Sequence, residues 1–141
     1  MNPLYTAVAT TSRGGRQGGH AETSDGKVKV DLAFPKEMGG DGAGTNPEQL
    51  VALGYSACFA SAVGAVAKKH GADISDLAVT CRATIGKDGE AFALAFEIEA
   101  RLPKLTQDAA DALVAEAHTV CPYSRAFTNT APATAKAIGG A

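Results

Sequence analysis

Cysteine has the widest chemical reach in this 141-residue chain, which holds three of them, Cys58, Cys81 and Cys121. As a thiolate it attacks electrophilic sulfur or oxygen and ligates soft metals. Cys81 falls in phase with Val79, Ala83 and Ile85 in an alternating run and reads as a small buried hydrophobe. Cys58 stands between Ala57 and Phe59 in an uncharged stretch, where position alone suggests an inert core thiol. Cys121 closes a helical pattern and precedes Pro122. His118 and Cys121 lie three apart, a spacing that can put two ligands on one metal. No C-x-x-C or H-x₃₋₅-H accompanies them, so a structural zinc site is not expected. The glycine-rich Gly39–Gly44 loop precedes a helix, but Gly-Lys-Ser/Thr and G-x-G-x-x-G are both absent, and a flexible connection is expected instead of a nucleotide site.

The elements that must position these side chains are readable in part. Residues 4–12 have modest strand character, and Arg13–Gly19 (RGGRQGG) predicts a loop or a loose hairpin tip. Val28, Val30, Leu32 and Phe34 alternate with polar or small residues up to Pro35, a half-buried strand. A long helix begins with Asn46 at the N-cap, Pro47 in the first position and Glu48 in the first turn. It ends with Lys68, Lys69 and His70 before Gly71. Val79–Ile85 and Phe92–Leu102 alternate around a Lys87-Asp88-Gly89 turn and predict a β-hairpin. Thr106 caps a second helix with Ala110, Leu113, Val114, Ala117 and Val120–Cys121 as its apolar stripe, and Pro122 marks its end. A last strand in the Ala-rich tail is left open. The fold class is α+β, in a single domain over residues 1–141.

Composition narrows the function. Thirteen Lys+Arg against fifteen Asp+Glu give a net charge of −2, which offers no electrostatic footprint for nucleic acid or an anionic membrane. A hydrophobic content of 45% is that of a folding chain. With an odd cysteine count and no recognisable secretory segment, the thiols are expected in a reducing cytoplasm. Leu50–Ala67 runs 18 residues without a charge, near the minimum for a membrane span. Its Gly, Ser and Ala content argues instead for a fully buried helix in a soluble protein. Small residues recur every three or four positions, so another backbone can approach closely. An obligate homodimer burying this helix against its mate is the economical solution.

Two blocks carry a more specific signal. Asn46-Pro-Glu-Gln-Leu50 running into Gly54-Tyr-Ser-Ala-Cys-Phe59, and later Val120-Cys-Pro-Tyr-Ser124, resemble the signature blocks of the Ohr branch of the OsmC/Ohr family. Tyr5-Thr6-Ala7, Gly14-Gly15-Arg16 and the run from Pro35 to Thr45 match in the same order. The resemblance implies intertwined α+β homodimers, with long central helices packed against antiparallel sheets. It also implies a thiol-dependent organic hydroperoxide reductase. By position, Cys58 is similar to the peroxidatic cysteine, Cys121 to the resolving cysteine, and Arg16 and Glu48 to the pair that prepares the reactive sulfur. The resemblance further implies a lipoylated protein or other dithiol as reductant. Metal, haem and flavin are not needed for that chemistry.

Physical chemistry makes those roles demanding. Desolvation among Ala and Phe raises a thiol pKa, so a cation must oppose it, and Arg16 cannot deprotonate. Glu48 is expected to hold the guanidinium by a bidentate contact. Glu48 and Cys58 are ten residues apart, about 15 Å along a straight helix, so Arg16 and Glu48 are expected to serve the partner chain's thiol. The glycines around Arg16 suggest a loop that swings. Disulfide formation requires the Cα atoms of Cys58 and Cys121 within about 7 Å. Phe59, Tyr123 and Phe127 are expected to line an apolar pocket for alkyl or fatty-acid hydroperoxides. The competing readings are a redox-sensing or ligand-binding dimer on the same fold, and a structural dimer with inert thiols.

Overall fold

A computed structural model describes residues 1–129 and 133–140. The chain forms two compact units, Met1–Leu50 and Val51–Ala141. In the first, strands β1 (Ala9–Ser12), β2 (His20–Thr23) and β3 (Lys29–Asp31) form an antiparallel sheet in sequence order. The first and third strands are shorter than the alternation suggests. Leu32 leaves the ladder to bridge Thr45 in parallel, and it is buried there. The Arg13–Gly19 hairpin tip is wound tightly rather than loosely. Gly15–Gln17 form a 3₁₀ turn, and a Cβ on Gly19 would lie 2.7 Å from the Gly15 backbone nitrogen, so only glycine fits that crossing.

Helix α1 (Pro47–His70) starts and stops where its capping residues direct. The Gln49 N–H donates to Asn46 Oδ1 at 2.9 Å, and Pro47, with no N–H to leave unpaired, opens the first turn. At the far end Gly71 adopts φ +66°, and the Ala72 N–H donates to the Ala67 carbonyl at 3.0 Å, closing the helix with a left-handed cap.

In the second unit, strands β4 (Ala78–Asp88) and β5 (Ala91–Leu102) form the expected hairpin, with Cys81 opposite Ile98. Strand β6 (Ala133–Gly139) answers the open question of the tail. It pairs with β5 in parallel, Phe96 opposite Ala133, so this sheet is mixed rather than purely antiparallel. A parallel neighbour needs a long crossover, and helices α2 (Gln107–Val120) and α3 (Pro122–Phe127) supply it. Thr106 Oγ1 accepts the Ala109 N–H at 3.3 Å and caps α2. The core joins Tyr55, Phe59, Val63 and Val66 of α1 to Phe96, Ile98 and Leu102 of β5 and to Leu113, Val114 and Ala117 of α2.

Two expectations change. Val120 is not part of the buried stripe of α2 but is 49% exposed, because the helix ends there and the chain turns. Helix α1 is not buried on every side within one chain. Leu53 is 68% exposed, and Ala57, Ser61 and Ala65, which follow at four-residue steps, are exposed with it. By length and composition α1 is also long and apolar enough to cross a membrane. Its small residues minimise the apolar area that this open face presents.

Replacing Asn46 by Ala removes the cap from α1 and should lower the unfolding free energy by about 1 kcal/mol, read from denaturant midpoints at constant slope. Asn46→Asp should recover most of that loss, because it keeps the accepting oxygen. An unchanged midpoint in Asn46→Ala would contradict the capping role.

Candidate active site

The interruption of helix between α2 and α3 at Cys121 builds the centre of the site. Pro122 keeps the preceding residue out of the helical region, and Cys121 accordingly has φ −64° and ψ 123°. Pro122 then opens α3 as a first-turn proline, with Cys121 as its N-cap. Pro122 therefore ends one helix and begins another, where only an end is legible in the sequence. One extended residue between two helices turns the Cys121 side chain into the core, where it has no exposed surface.

Cys58 meets it from α1. It lies three residues beyond the buried Tyr55, at the edge of the helix's buried face, and is half-buried. The Cys121 Sγ–H donates to Cys58 Sγ at 3.8 Å across 63 positions of sequence. All three cysteines are free thiols. A disulfide needs about 2.05 Å, so a sulfur displacement of about 1.8 Å closes the bond.

The electrostatics of this centre are unfavourable to charge. Burial pushes the Cys58 thiol above the ordinary cysteine value, and the neighbouring Cys121 pushes it further. The Tyr123 backbone N–H works the other way and lowers it. Cys81 is raised as well, by burial alone. It stays in phase with Val79, Ala83 and Ile85 on β4, as a partly buried packing residue.

Arg16 and Glu48 are brought together in the other unit. Arg16 sits in the 3₁₀ turn between β1 and β2, and Glu48 in the first turn of α1. The contact differs from the expected two-pronged fork: a single guanidinium nitrogen, Nη1, donates to Oε1 at 2.9 Å and to Oε2 at 2.7 Å. Both side chains are mostly shielded, at 29% and 12% exposure, so the pair is held more firmly than a surface ion pair. The second guanidinium arm is not engaged by Glu48.

The three expected pocket residues separate. Phe59 is core, 0% exposed, with its ring 6.3 Å from that of His118. Tyr123 and Phe127 are half-buried and stack at 5.6 Å. They form one cluster with two residues the sequence did not single out. Tyr55 packs edge-on to Phe96 at 5.6 Å and to Tyr123 at 5.7 Å, and Phe96 stacks on Phe127 at 4.6 Å. Tyr55 also hydrogen-bonds Ser124, Oη to Oγ at 3.0 Å, and both residues are fully buried. The available signal was a tyrosine one helical turn before Cys58 and a serine three residues after Cys121. Gly54 fits the same cluster, since a Cβ there would stand 2.8 Å from the Tyr123 hydroxyl.

His118, considered above as a metal ligand, has a buried Nδ1 without a hydrogen-bond partner. Among the described residues no three His, Cys, Asp or Glu side chains gather at metal-binding spacing.

Comparison with known proteins places the chain in a family. Residues 39–136 match the family model described as OsmC-like protein. The organic hydroperoxide resistance protein of Xanthomonas axonopodis pv. citri is 41% identical over 125 residues, 87% of each chain. The organic hydroperoxide resistance protein OhrB of Bacillus subtilis is 38% identical over 125 residues, 87% of this chain and 90% of that one. The crystal structure of an organic hydroperoxide resistance protein from Legionella pneumophila superposes with a TM-score of 0.90 at 42% identity, covering 96% of this chain and 98% of that chain. The chain therefore belongs to the OsmC family, among relatives named organic hydroperoxide resistance proteins.

Proposed function

We propose that the protein is a thiol-dependent peroxidase that reduces organic hydroperoxides to alcohols. The observation that carries the reading is the Cys58–Cys121 pair, two free thiols 3.8 Å apart, one of them half-open to solvent and the other sealed in the core. The Cys58 thiolate attacks the distal peroxide oxygen, the O–O bond breaks, and the alkoxide leaves and takes a proton. Cys58 is then a sulfenic acid. The Cys121 sulfur attacks it, one water leaves, and a disulfide joins the two residues. Two thiols of an external dithiol, such as a lipoyl group, reduce that disulfide by exchange and are themselves oxidised. A cytoplasmic location suits this cycle, because the resting state needs both thiols reduced.

Thiolate formation is the difficult step, since burial and Cys121 both oppose it. A fixed cation supplies what the interior lacks. Arg16, aimed by Glu48, is assigned that role on the chemistry and the family resemblance. The free arm of the guanidinium suits a second anionic partner. Tyr123 and Phe127 supply apolar surface for an alkyl chain, worth about 25 cal/mol per Å² buried.

A homodimer completes the reading. The open face of α1, Leu53, Ala57, Ser61 and Ala65, suits a second copy of the same helix, since small residues let two backbones approach. Helix α1 runs unbroken, so a rise of about 15 Å separates its positions 48 and 58. A cation held by Glu48 is accordingly assigned to the thiol of the other chain.

With a dithiol present, wild-type protein should consume many equivalents of an alkyl hydroperoxide, and Cys81→Ser should do nearly the same. Cys58→Ser should be inactive, and Cys121→Ser should consume about one equivalent and stall. Consumption that stops at one equivalent in the wild type would mark a sensor rather than an enzyme. A second test separates the chains. Arg16→Ala and Cys58→Ser, each inactive alone, should regain activity when unfolded together and refolded as mixed dimers, because one of the two sites then holds both side chains. No recovery in a mixture shown to contain heterodimers would assign Arg16 to its own chain.

A further inference from the structure

Two contacts tie the middle of α1 to the start of α3, and they are spaced alike on both sides. Tyr55 and Cys58 are three residues apart on α1, and Cys121 and Ser124 are three apart across the Pro122 turn. On α1 that spacing puts both side chains on one face, one helical turn apart, and Ser124 stands in the first turn of α3, whose N-cap is Cys121. The Tyr55–Ser124 hydrogen bond at 3.0 Å and the Cys58–Cys121 contact at 3.8 Å are therefore neighbouring rungs between the same two segments. The first rung is sealed: both residues are 0% exposed, and no water competes for either hydroxyl. The Tyr55 ring is held on three sides by Phe96, Tyr123 and Phe127, at centroid distances of 5.6, 5.7 and 5.5 Å. Ser124 also follows directly on Tyr123, whose backbone N–H favours the charged form of Cys58.

An all-apolar pair would fill this space with no polar group to satisfy. A buried hydroxyl pair instead fixes one separation and one orientation between the segments. We propose that Tyr55 and Ser124 are positioning residues for disulfide closure, holding the second sulfur in line with the first so that the bond forms with a small sulfur displacement. This rests on the peroxidase reading only in that the Cys58–Cys121 bond is the turnover disulfide. Neither residue touches the peroxide, and the first chemical step should depend on them little.

The test uses Cys81→Ser protein as the reference, with Tyr55→Phe, Ser124→Ala and the double variant built on it. Closure is followed by free-thiol loss with two oxidants, cumene hydroperoxide and diamide. Diamide takes two electrons and two protons from the thiol pair whatever the natural substrate. Closure should be about ten- to a hundredfold slower in all three variants with either oxidant. Trapping of the Cys58 sulfenic acid by dimedone should show its formation slowed less than about threefold. The double variant leaves no hydroxyl unpaired, so its melting temperature should return toward the reference while its closure stays slow. Closure at the reference rate in the variants, or closure that recovers together with melting temperature in the double variant, would overturn the proposal. Should the reference protein close with diamide but ignore hydroperoxide, the peroxidase reading falls, and the diamide rates alone decide the role of Tyr55 and Ser124.

Discussion

Reactive sulfur must be charged, and the place where this fold holds its sulfur disfavours charge. Cys58 is half-buried against an aromatic core, and desolvation is the largest influence on it, followed on the raising side by a second thiol. A single backbone N–H from Tyr123 opposes them within the same unit. In the proposed cycle the half-buried sulfur lies beside apolar surface that suits an alkyl chain, and its ionisation calls for a cation that keeps its proton. An arginine held by both oxygens of a shielded glutamate fits that requirement better than a lysine, whose charge burial would remove.

The second sulfur is brought in by backbone geometry rather than by a flexible arm. Pro122 holds Cys121 in an extended conformation between two helices, and the thiol turns into the core at the point where α1 passes. In the proposed cycle, preorganisation of this kind replaces a search through chain conformations by a displacement of about 1.8 Å. The cost is local. Val120 is left exposed at the end of α2, and two hydroxyls must be buried beside the aromatic cluster and must satisfy each other.

Much of this was legible in the residues, and the parts that were not share a cause. The limits of α1 follow from Asn46, Pro47 and Gly71, because capping is a contact between residues a few positions apart. The β4–β5 hairpin follows from alternation for the same reason. Strand β2 carries no legible signal, because His20-Ala-Glu-Thr is short and polar and has no apolar period. Helix α3 was hidden because a proline signals an end and a beginning with the same residue. The parallel pairing of β6 and the meeting of Cys58 with Cys121 are set by tertiary packing across long stretches of chain. Position alone made Cys58 an inert core thiol; only the two signature blocks pointed elsewhere. The single-nitrogen grip of Glu48 on Arg16 depends on side-chain geometry that spacing does not encode.

The central claim is that a guanidinium overcomes desolvation at one sulfur, and a thiolate titration tests it most directly. Thiolate absorbance would be followed against pH in Cys81→Ser/Cys121→Ser protein, where Cys58 is the one thiol left, with and without Arg16→Met. The account predicts an apparent pKa below the free-cysteine value of about 8.5 when Arg16 is present, and above it when the side chain is methionine. The same titration curve in both proteins would contradict the account.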